Sequence, residues 1–570
     1  MRFELGWLMR RCLGSYGFIV LFSVAVAALH LVVPIYMIQI FDRVLASHSY
    51  ETLIALSLIA VFCLFFFAVF DAVRGLLATQ AGTWFEETVL PYVFQASLRA
   101  QIAGDASAGN NARSDVRDIR EFAGGQPLIT VIDAIIAPIF LLIIYLMHPV
   151  LAAVAFAGIM GLVVLSVINE LMVRNLQKSA VALGRVSETQ LAGIIRNAET
   201  VQSLGLADNL FEANGKTRTM GADAANTMRV RAETFGSISK FLRLGVQIAM
   251  LAVGAALGIH VEITPGVMFA ASILMSRALA PFERMIPVWK SSVSARQGYA
   301  SLKAFLERYG QTVPHMSYPR PKGPLVLSGV TARVPGMNRN LFANLSLRIE
   351  GGEAIGIMGP SGCGKSTLAR MMLGIAAPAG GSITLDGVEV SQWDRRDLGQ
   401  HVGYLSQSVE ILSGTIHENI ARFDAEARDE EVVEAAQAAG IHEFVATLPQ
   451  GYHTRVGEGG VRLSGGQLQR VGLARALFRS PSFIILDEPN SSLDTEGERA
   501  LQEALAIMKA KGSLIAMVVH NPAVLGVVDK LLVFRDGQAI MGPKDAVLQK
   551  LHGDNVRRLD VRAPGTGAVN

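Results

Sequence analysis

The feature that most constrains this chain is a set of long apolar stretches, each close to the length that a helix needs to cross a membrane. About 20 helical residues span the roughly 30 Å hydrocarbon core of a bilayer. The six stretches are Phe18–Ile40, Leu53–Phe70, Pro127–Met147, Pro149–Ile168, Leu244–Val261 and the shorter Gly266–Ala280. They predict a membrane domain of six helices.

Composition agrees with a chain that lies partly in lipid. Its 570 residues allow two or three domains. Apolar residues make up 51% and charged residues only 17%, and the mean hydropathy is +0.38. Soluble domains usually carry about 25% charged residues. The net charge of +3 and the lack of a long basic run give no reason to expect nucleic acid as a partner.

Cysteine use and the N-terminus refine this picture. Cys12, Cys63 and Cys363 form neither a paired framework nor a metal-ligand spacing, which predicts a reducing cytoplasm around the soluble part. Three arginines among the first eleven residues resemble the start of a signal peptide. However, the apolar stretch that follows has no clear small-residue cleavage site, so we interpret it as a retained helix.

Positive charge sets the expected orientation. Segment 71–126 holds five Lys/Arg residues and segment 169–243 holds ten, whereas the opposite loops hold only Arg43. The positive-inside rule then places both long segments and the N-terminus in the cytoplasm. Their helical periodicity favours membrane helices that continue beyond the bilayer; a small soluble insertion is the alternative.

Three ionisable residues fall at or near membrane depth: His30, Asp133 and Arg277. Such residues are costly in hydrocarbon and usually face a cavity or a partner. Asp133 precedes the helix-perturbing Pro138, so it either lines a pathway or is a satisfied interior residue. For His30 the packing interpretation is the better one.

The amino-acid composition of the chain changes after the sixth apolar stretch. Residues 307–324 are rich in proline and polar side chains and predict a linker. Short apolar strands then alternate with helical patterns over 325–555, as in an α/β domain. We therefore expect a membrane domain over 1–306, an α/β phosphate-loop domain over 325–555, and a disordered, functionless tail over 556–570.

A phosphate-binding motif opens the α/β domain. The apolar strand Ala354–Met358 leads into GPSGCGKST, which matches GxxxxGK[ST], and a helix follows. Glycines let backbone N–H groups surround phosphate, and the helix N-terminus adds positive potential. Lys365 would reach the β and γ phosphates, and Ser366 would ligate Mg²⁺. The predicted loop residues are Gly359, Pro360, Ser361, Gly362, Cys363, Gly364, Lys365, Ser366 and Thr367.

Two carboxylates follow a second buried strand. In PSFIILDEP, four apolar residues precede Asp487 and Glu488. Asp487 would hold the metal directly or through water, and Glu488 would orient and deprotonate the attacking water. With the phosphate loop upstream, the pair predicts an ATP-hydrolysing site.

A family resemblance enters with LSGGQ at Leu463–Gln467, the signature of ABC ATPases, which the domain resembles throughout. The resemblance implies that Gln407 senses Mg²⁺ and the membrane domain, and that His520 contacts the γ phosphate. It also implies that Ser464, Gly465, Gly466 and Gln467 close over ATP bound to another copy, and that the segment ending at Asp494 crosses to that copy. ATP and Mg²⁺ as ligands, catalysis by Lys365, Gln407, Glu488 and His520, and a homodimer with two sites follow from the resemblance.

One position departs from the family. ABC ATPases commonly stack adenine on an aromatic residue before the phosphate loop, and Val334 aligns there. The preference for ATP over GTP is therefore an open question, whereas hydrolysis is not affected.

The membrane half resembles a narrower class. Fusion in the order membrane–ATPase resembles exporters, and Glu458 in TRVGEGGVRLSGGQ lies where exporters contact their cytoplasmic helices; a solvated turn is the alternative. VPIYMIQIFDRVL and ASILMSRALAPFE resemble bacterial type I secretion exporters of the protease-secreting branch. The resemblance implies an inner-membrane location and a secreted protein with a C-terminal signal. It also implies a periplasmic adaptor and an outer-membrane channel. Because the first predicted span starts near residue 18, we expect no N-terminal peptidase domain and no leader cleavage by this chain.

We therefore expect an ATP-driven, multi-pass inner-membrane exporter of polypeptides, surrounded by membrane lipid and with its ATPase in the cytoplasm. An exporter of lipids or small amphiphiles with the same ATPase is the first alternative. A membrane-anchored ATPase that transports nothing is the second, although one span would suffice to anchor it.

Overall fold

The computed structural model of the protein describes residues 5–310, 316–334, 339–519, 522–535 and 538–550. The chain divides into two compact units, Arg2–Gln311 and Thr312–Asn570. The last helix of the first unit ends at Tyr309, inside the predicted linker 307–324. The predicted disordered tail, 556–570, lies outside the described residues.

Every regular secondary-structure element described in the first unit is a helix. Its helices are α1 (Leu5–Leu29), α2 (Val32–Gln39), α3 (Leu45–Ser47), α4 (Tyr50–Ile102), α5 (Ala106–Ala123), α6 (Gln126–Ile136), α7 (Pro138–Met147), α8 (Pro149–Arg196), α9 (Ala198–Ser203), α10 (Ala207–Ile259) and α11 (Pro265–Tyr309), with a π-helical turn at Ile40–Val44 between α2 and α3. Among the described residues, six segments are long and apolar enough to cross a membrane: Gly14–Ser47, Tyr50–Ile102, Gln126–Met147, Pro149–Met172, Ala207–Ile259 and Pro265–Met285. The predicted six-span domain is confirmed.

Four of these helices are much longer than a bilayer requires. Helices α4 and α10 have 53 residues each, α8 has 48 and α11 has 45. At 1.5 Å per residue they measure roughly 70–80 Å, more than twice the hydrocarbon thickness. The polar segments between spans two and three and between four and five therefore begin as continuations of membrane helices.

Two membrane spans are interrupted for identifiable reasons. Helix α6 ends at Ile136 because Pro138 has no N–H to donate and its ring crowds the preceding turn. The first span changes to a π-helical turn at Ile40–Val44, where the Asp42 carboxylate accepts a hydrogen bond from the Gly266 N–H at the start of α11.

Small residues let α8 and α10 approach closely. A Cβ added to Gly158 would lie 2.7 Å from Val246, and one added to Gly161 would lie 3.1 Å from Leu242. Small residues at such contacts are the usual means of packing helices in lipid, where no hydrophobic effect drives helices together.

The second unit is an α/β domain. Its strands are β1 (Leu325–Arg333), β2 (Asn340–Ile349), β3 (Ala354–Met358), β4 (Gly380–Leu385), β5 (Val388–Glu389), β6 (Val402–Leu405), β7 (Gly414–Thr415), β8 (Arg455–Val456), β9 (Phe483–Asp487), β10 (Leu514–Val518), β11 (Lys530–Arg535) and β12 (Gln538–Pro543). Its α-helices are α12 (Lys365–Met372), α13 (Arg395–His401), α14 (Ile416–Ile420), α15 (Asp429–Ala438), α16 (His442–Thr447), α17 (Gly465–Leu477) and α18 (Thr495–Ala510).

A six-stranded sheet organises this domain in the order β12-β11-β3-β10-β9-β6. All neighbours are parallel except β11 and β12. A second, antiparallel sheet has the order β2-β1-β4-β5. Ligands of parallel sheets bind outside the carboxyl ends of the strands. The loops after β3 and β9 therefore open at the same edge.

Candidate functional site

The phosphate loop follows β3 and leads into α12, as the motif predicts. Gly359, Gly362 and Gly364 have φ angles of 154°, 80° and 103°, which side chains other than glycine rarely adopt. A Cβ on Gly364 would come within 3.2 Å of the Phe342 ring. The loop can therefore take its curled form only with glycine at these positions.

Lys365 lies inside this curl. The side chain is 6% exposed, and Nζ donates hydrogen bonds to the carbonyl oxygens of Gly359 (2.9 Å) and Pro360 (3.0 Å). The ammonium is thereby held against the loop at the N-terminus of α12. This arrangement suits an anion such as a nucleotide phosphate.

Asp487 ends β9 beneath the loop and is 3% exposed. Burial and the neighbouring Glu488 charge raise the pKa of its carboxyl group, while a hydrogen bond with the Ser366 hydroxyl opposes that rise. Its Oδ1 atom is buried without a hydrogen-bond partner. A hydroxyl beside an unpartnered carboxylate oxygen is the hard oxygen set that Mg²⁺ prefers, so the predicted metal residues fit the ion.

Glu488 is held from two sides. Its backbone N–H donates to the Val518 carbonyl at 3.1 Å, and its Oε1 accepts a 3.0 Å hydrogen bond from Gln407 Nε2. Glu488 adopts a φ of 53°, a left-handed conformation that is uncommon for glutamate. Gln407, predicted from the family resemblance, is thus brought to the predicted base from a position 81 residues earlier.

The LSGGQ signature begins helix α17. Ser464 is the N-cap: its hydroxyl accepts from the Gln467 N–H, and the Gln467 side chain accepts from the Ser464 N–H. This reciprocal capping fixes the two glycines between them at a helix start. Within the described residues no hydrogen bond joins the signature to the phosphate loop of the same chain.

Sequence reasoning missed Gln469, which links the signature helix to the end of β9. Its side chain is 4% exposed, and Nε2 donates to the Glu488 carbonyl (3.1 Å) and the Ser491 hydroxyl (3.3 Å). Its Oε1 accepts from the Ser492 N–H at 2.8 Å. The only local signal was a glutamine among apolar positions of α17.

Of the two remaining predicted site residues, the structure describes Asp494 but not His520. Asp494 caps α18 by accepting from the Gly497 N–H at 2.9 Å, and it forms an ion pair with Arg470. The backbone and Arg470 contacts lower the pKa of its carboxyl group. His520 lies outside the described residues. Val334 follows β1, and its N–H donates to the Arg339 carbonyl at 2.9 Å. This contact does not test adenine stacking, so the preference for ATP over GTP stays an open question.

In the membrane unit, Asp133 has a partner that the sequence did not reveal. Arg74 on α4 is 7% exposed and donates to Asp133 Oδ1 at 2.8 Å and to Asp71 Oδ1 at 2.8 Å. Its third contact is the Ser23 hydroxyl at 3.4 Å. Asp133 also lines a small cavity with His30 and Arg277. It is therefore both a paired interior residue and a cavity residue.

Comparison with known proteins places the chain in a family. Residues 16–281 match the ABC transporter transmembrane region, and residues 342–491 match the ABC transporter ATPase family. The type I secretion system ATP-binding protein PrsD of Rhizobium meliloti (strain 1021) is 35% identical over 96% of this chain and 95% of its own length.

More distant relatives carry toxin-related names. The cyclolysin secretion/processing ATP-binding protein CyaB of Bordetella pertussis is 27% identical, covering 94% of this chain and 76% of its own. The leukotoxin translocation ATP-binding protein LktB of Mannheimia haemolytica is 25% identical, covering 92% and 75%. A bacterial Atm1-family ABC exporter with ATP bound matches with a TM-score of 0.78 over 99% of this chain and all of its own, at 20% identity, which supports the fold.

Membrane helices fused to a nucleotide site of this form define an ATP-hydrolysing transporter with several membrane spans. The chain belongs to the ABC transporter family and, within it, to the ABC exporters of type I secretion systems.

Proposed function

We propose that this protein is the inner-membrane ABC component of a type I secretion system and exports unfolded polypeptides that carry a C-terminal signal. The observation that carries the proposal is the similarity to PrsD, which extends over nearly all of both chains at 35% identity. Similarity of that extent includes the membrane helices and is not limited to the ATPase domain that many transporters share. The names of CyaB and LktB refer to the secretion or translocation of protein toxins, which supports a polypeptide substrate.

The ATPase chemistry follows from the residues around the phosphate loop. Lys365 and the backbone N–H groups of the loop bind the β and γ phosphates. Ser366 and Asp487 would hold Mg²⁺, which neutralises phosphate charge when bound. Glu488 accepts a proton from the attacking water, and the hydrogen bond from Gln407 keeps its carboxylate in position. His520 stabilises charge on the γ phosphate.

A homodimer is part of the proposal. Each chain has one phosphate loop and one signature, and these make no hydrogen bond to each other within the described residues. Ser464 and the two glycines after it present a capped helix start that suits a phosphate. A second copy would place its signature over this chain's ATP, giving two complete sites. Closure on ATP would then drive the long helices and open the pathway outward.

A periplasmic adaptor and an outer-membrane channel complete the proposed system. The relatives named for secretion are the support for these partners, and the inner membrane is the location that such an assembly requires. The six spans argue against a mere membrane anchor, since one span would anchor.

The test compares proteins released into the medium by cells with and without this gene. The deletion strain is complemented with the wild type, with Glu488→Gln or with the matched control Glu496→Gln, an exposed glutamate at the start of α18. We expect one or a few proteins to disappear from the medium, to return with wild type and control, and to stay inside with Glu488→Gln. Fusing the C-terminal segment of such a protein to a reporter should cause secretion of the reporter.

Purified protein gives the matching enzymatic result. Loss of a general base usually slows a reaction by about 10²–10⁴-fold, so Glu488→Gln should lose ATP turnover on that scale while Glu496→Gln retains it. Unchanged turnover in Glu488→Gln would show that the base is assigned wrongly. If released proteins do not change but vesicle ATPase responds to lipid or small amphiphiles, the polypeptide substrate is wrong.

A further inference from the structure

A small cavity in the membrane unit brings polar and charged residues of three spans together. Ser23 and His30 come from the first span, Asp133 from α6, and Arg277 and Arg284 from α11. The cavity measures about 50 Å³. Since a water molecule needs roughly 15 Å³ on this scale, it has room for three or four water-sized groups.

The charges around this cavity do not balance. Arg74, behind Asp133, is paired with both Asp133 and Asp71. Arg277 and Arg284 have no ion pair or hydrogen bond among the described residues, and their charges repel each other. Three guanidinium groups therefore accompany two carboxylates, and the two unpaired cations face the cavity.

The two arginines share one face of α11. They are seven residues apart, which is close to two helical turns. Arg277 is twelve residues after Pro265, so it lies about 18 Å along the helix from the start of the span, near the middle of the bilayer. Arg284 lies about two turns further along, towards the end of the span at Met285. An unpaired cation at this depth is costly, which makes a functional role the default interpretation.

We propose that Arg277 and Arg284 form a binding site for carboxylate groups of acidic polypeptide segments in transit through the membrane domain. This inference rests on the proposed function and adds a charge preference to it. Each guanidinium offers a planar fork of N–H donors that matches a carboxylate. The Arg74–Asp133 pair forms the neutral, fixed wall against which the two free guanidinium groups act.

The geometry favours a peptide carboxylate over a lipid headgroup. The cavity is lined by residues of α1, α6, α7 and α11, so it lies between spans, and Arg277 and Arg284 keep exposed surface beside it. Its volume of about 50 Å³ is close to that of the three heavy atoms of an Asp or Glu carboxylate and smaller than that of a phosphate with its attached glycerol. Acidic side chains on an extended chain also arrive one at a time, so each can bind and leave, as transport through a site requires.

The experiment uses the full chain in phosphatidylcholine nanodiscs and two fluorescent peptides that are identical except that every Asp of one is Asn in the other. Anisotropy gives their affinities. We expect the Asp peptide to bind more tightly, and added KCl to weaken it more than the Asn peptide. Arg277→Gln and Arg284→Gln should each weaken Asp-peptide binding about tenfold, the loss expected for one charge-assisted hydrogen bond, and leave the Asn peptide unchanged.

Matched controls separate this site from general charge. Arg229→Gln removes an exposed arginine of α10 whose partner is Glu233, far along the sequence from the cavity residues, and should change neither affinity. Arg277→Lys keeps the charge and loses the fork, so it should retain part of the preference. Arg277 and Arg284 are both exposed and without an ion pair within the described ranges, so both glutamine variants are expected to fold.

Three outcomes would overturn the inference. The first is equal affinity of the wild type for both peptides. The second is an equal loss in Arg229→Gln and the cavity variants. The third is loss of the Asp preference when phosphatidylglycerol is included in the nanodisc, which would assign the site to lipid phosphate. None of these affects the secretion comparison in cells, so the proposed function stands or fails separately.

Discussion

Replacing Asp133 by asparagine should destabilise the membrane unit by breaking its buried ion pair. The Arg74 side chain is 8% exposed and that of Asp133 is 24% exposed, with 2.8 Å between the bonded atoms. Removing one partner of a buried pair costs roughly 3–5 kcal/mol, because the other charge stays buried. Asp71 remains as a second, half-exposed partner of Arg74, so we expect a loss near the lower limit, about 3 kcal/mol.

The assay is thermal unfolding of the full chain in nanodiscs. With an unfolding entropy of ~2.1 cal/mol/K per residue over about 300 residues, a loss of ~3 kcal/mol lowers the Tm by about 5 °C. Arg74→Leu should cost a similar amount, since it leaves Asp133 unpaired. Ser23→Ala removes only the 3.4 Å contact and serves as the control, with a change below about 1 kcal/mol.

The double variant Arg74→Leu with Asp133→Leu is compared with the single variants Arg74→Leu and Asp133→Leu. An apolar pair of similar volume should recover most of the loss, so the two single effects should not add. If the double variant loses the sum of both, the two side chains do not stabilise each other and the reasoning is wrong.

Three further predictions concern single hydrogen-bonded residues. Asp487→Asn should raise the Tm of the nucleotide-free protein at neutral pH while abolishing turnover. Burial raises the pKa of the Asp487 carboxyl group. The stability that this group contributes is therefore present below about pH 4 and is lost as the pH rises through the raised pKa. The Tm of Asp487→Asn should depend less on pH than that of the wild type. Gln469→Leu removes three hydrogen bonds beside Glu488. It should lower the free energy of unfolding in urea by ~2 kcal/mol and slow ATP turnover. An unchanged rate would mean that Gln469 does not position Glu488 at the end of β9. Asp42→Ala removes the carboxylate that accepts from the Gly266 N–H and the Thr264 hydroxyl, so it should cost about 1 kcal/mol in thermal unfolding, and Asp42→Asn should cost less.

Local pattern was enough to predict the spans and the nucleotide motifs. Six apolar stretches of membrane length need no tertiary information, and the phosphate loop, Asp487 and Glu488 are specified by strands and glycines close to them in sequence. Family resemblance added Gln407, whose hydrogen bond to Glu488 spans 81 residues and could not follow from periodicity.

The residues that were missed make contacts across long sequence separations. Arg74 counted only as one positive charge of a polar segment, yet it binds Asp133, 59 residues later. Asp42 lies in the quoted IFDRVL, but its partner Gly266 is 224 residues away. Which of several polar residues meet inside a helical bundle depends on helix rotation and crossing, which one sequence does not specify.

With Glu488 as the proposed general base, its left-handed backbone sets stability against ATP turnover at one position. A residue with a Cβ at this φ costs about 1 kcal/mol or more relative to an ordinary conformation. Glycine, and to a lesser degree asparagine, would relieve that strain. Selection of this chain for thermal stability alone would therefore favour replacement of Glu488, which would give a more stable ATPase with little turnover. Thermostabilised versions intended for transport studies need this codon held constant.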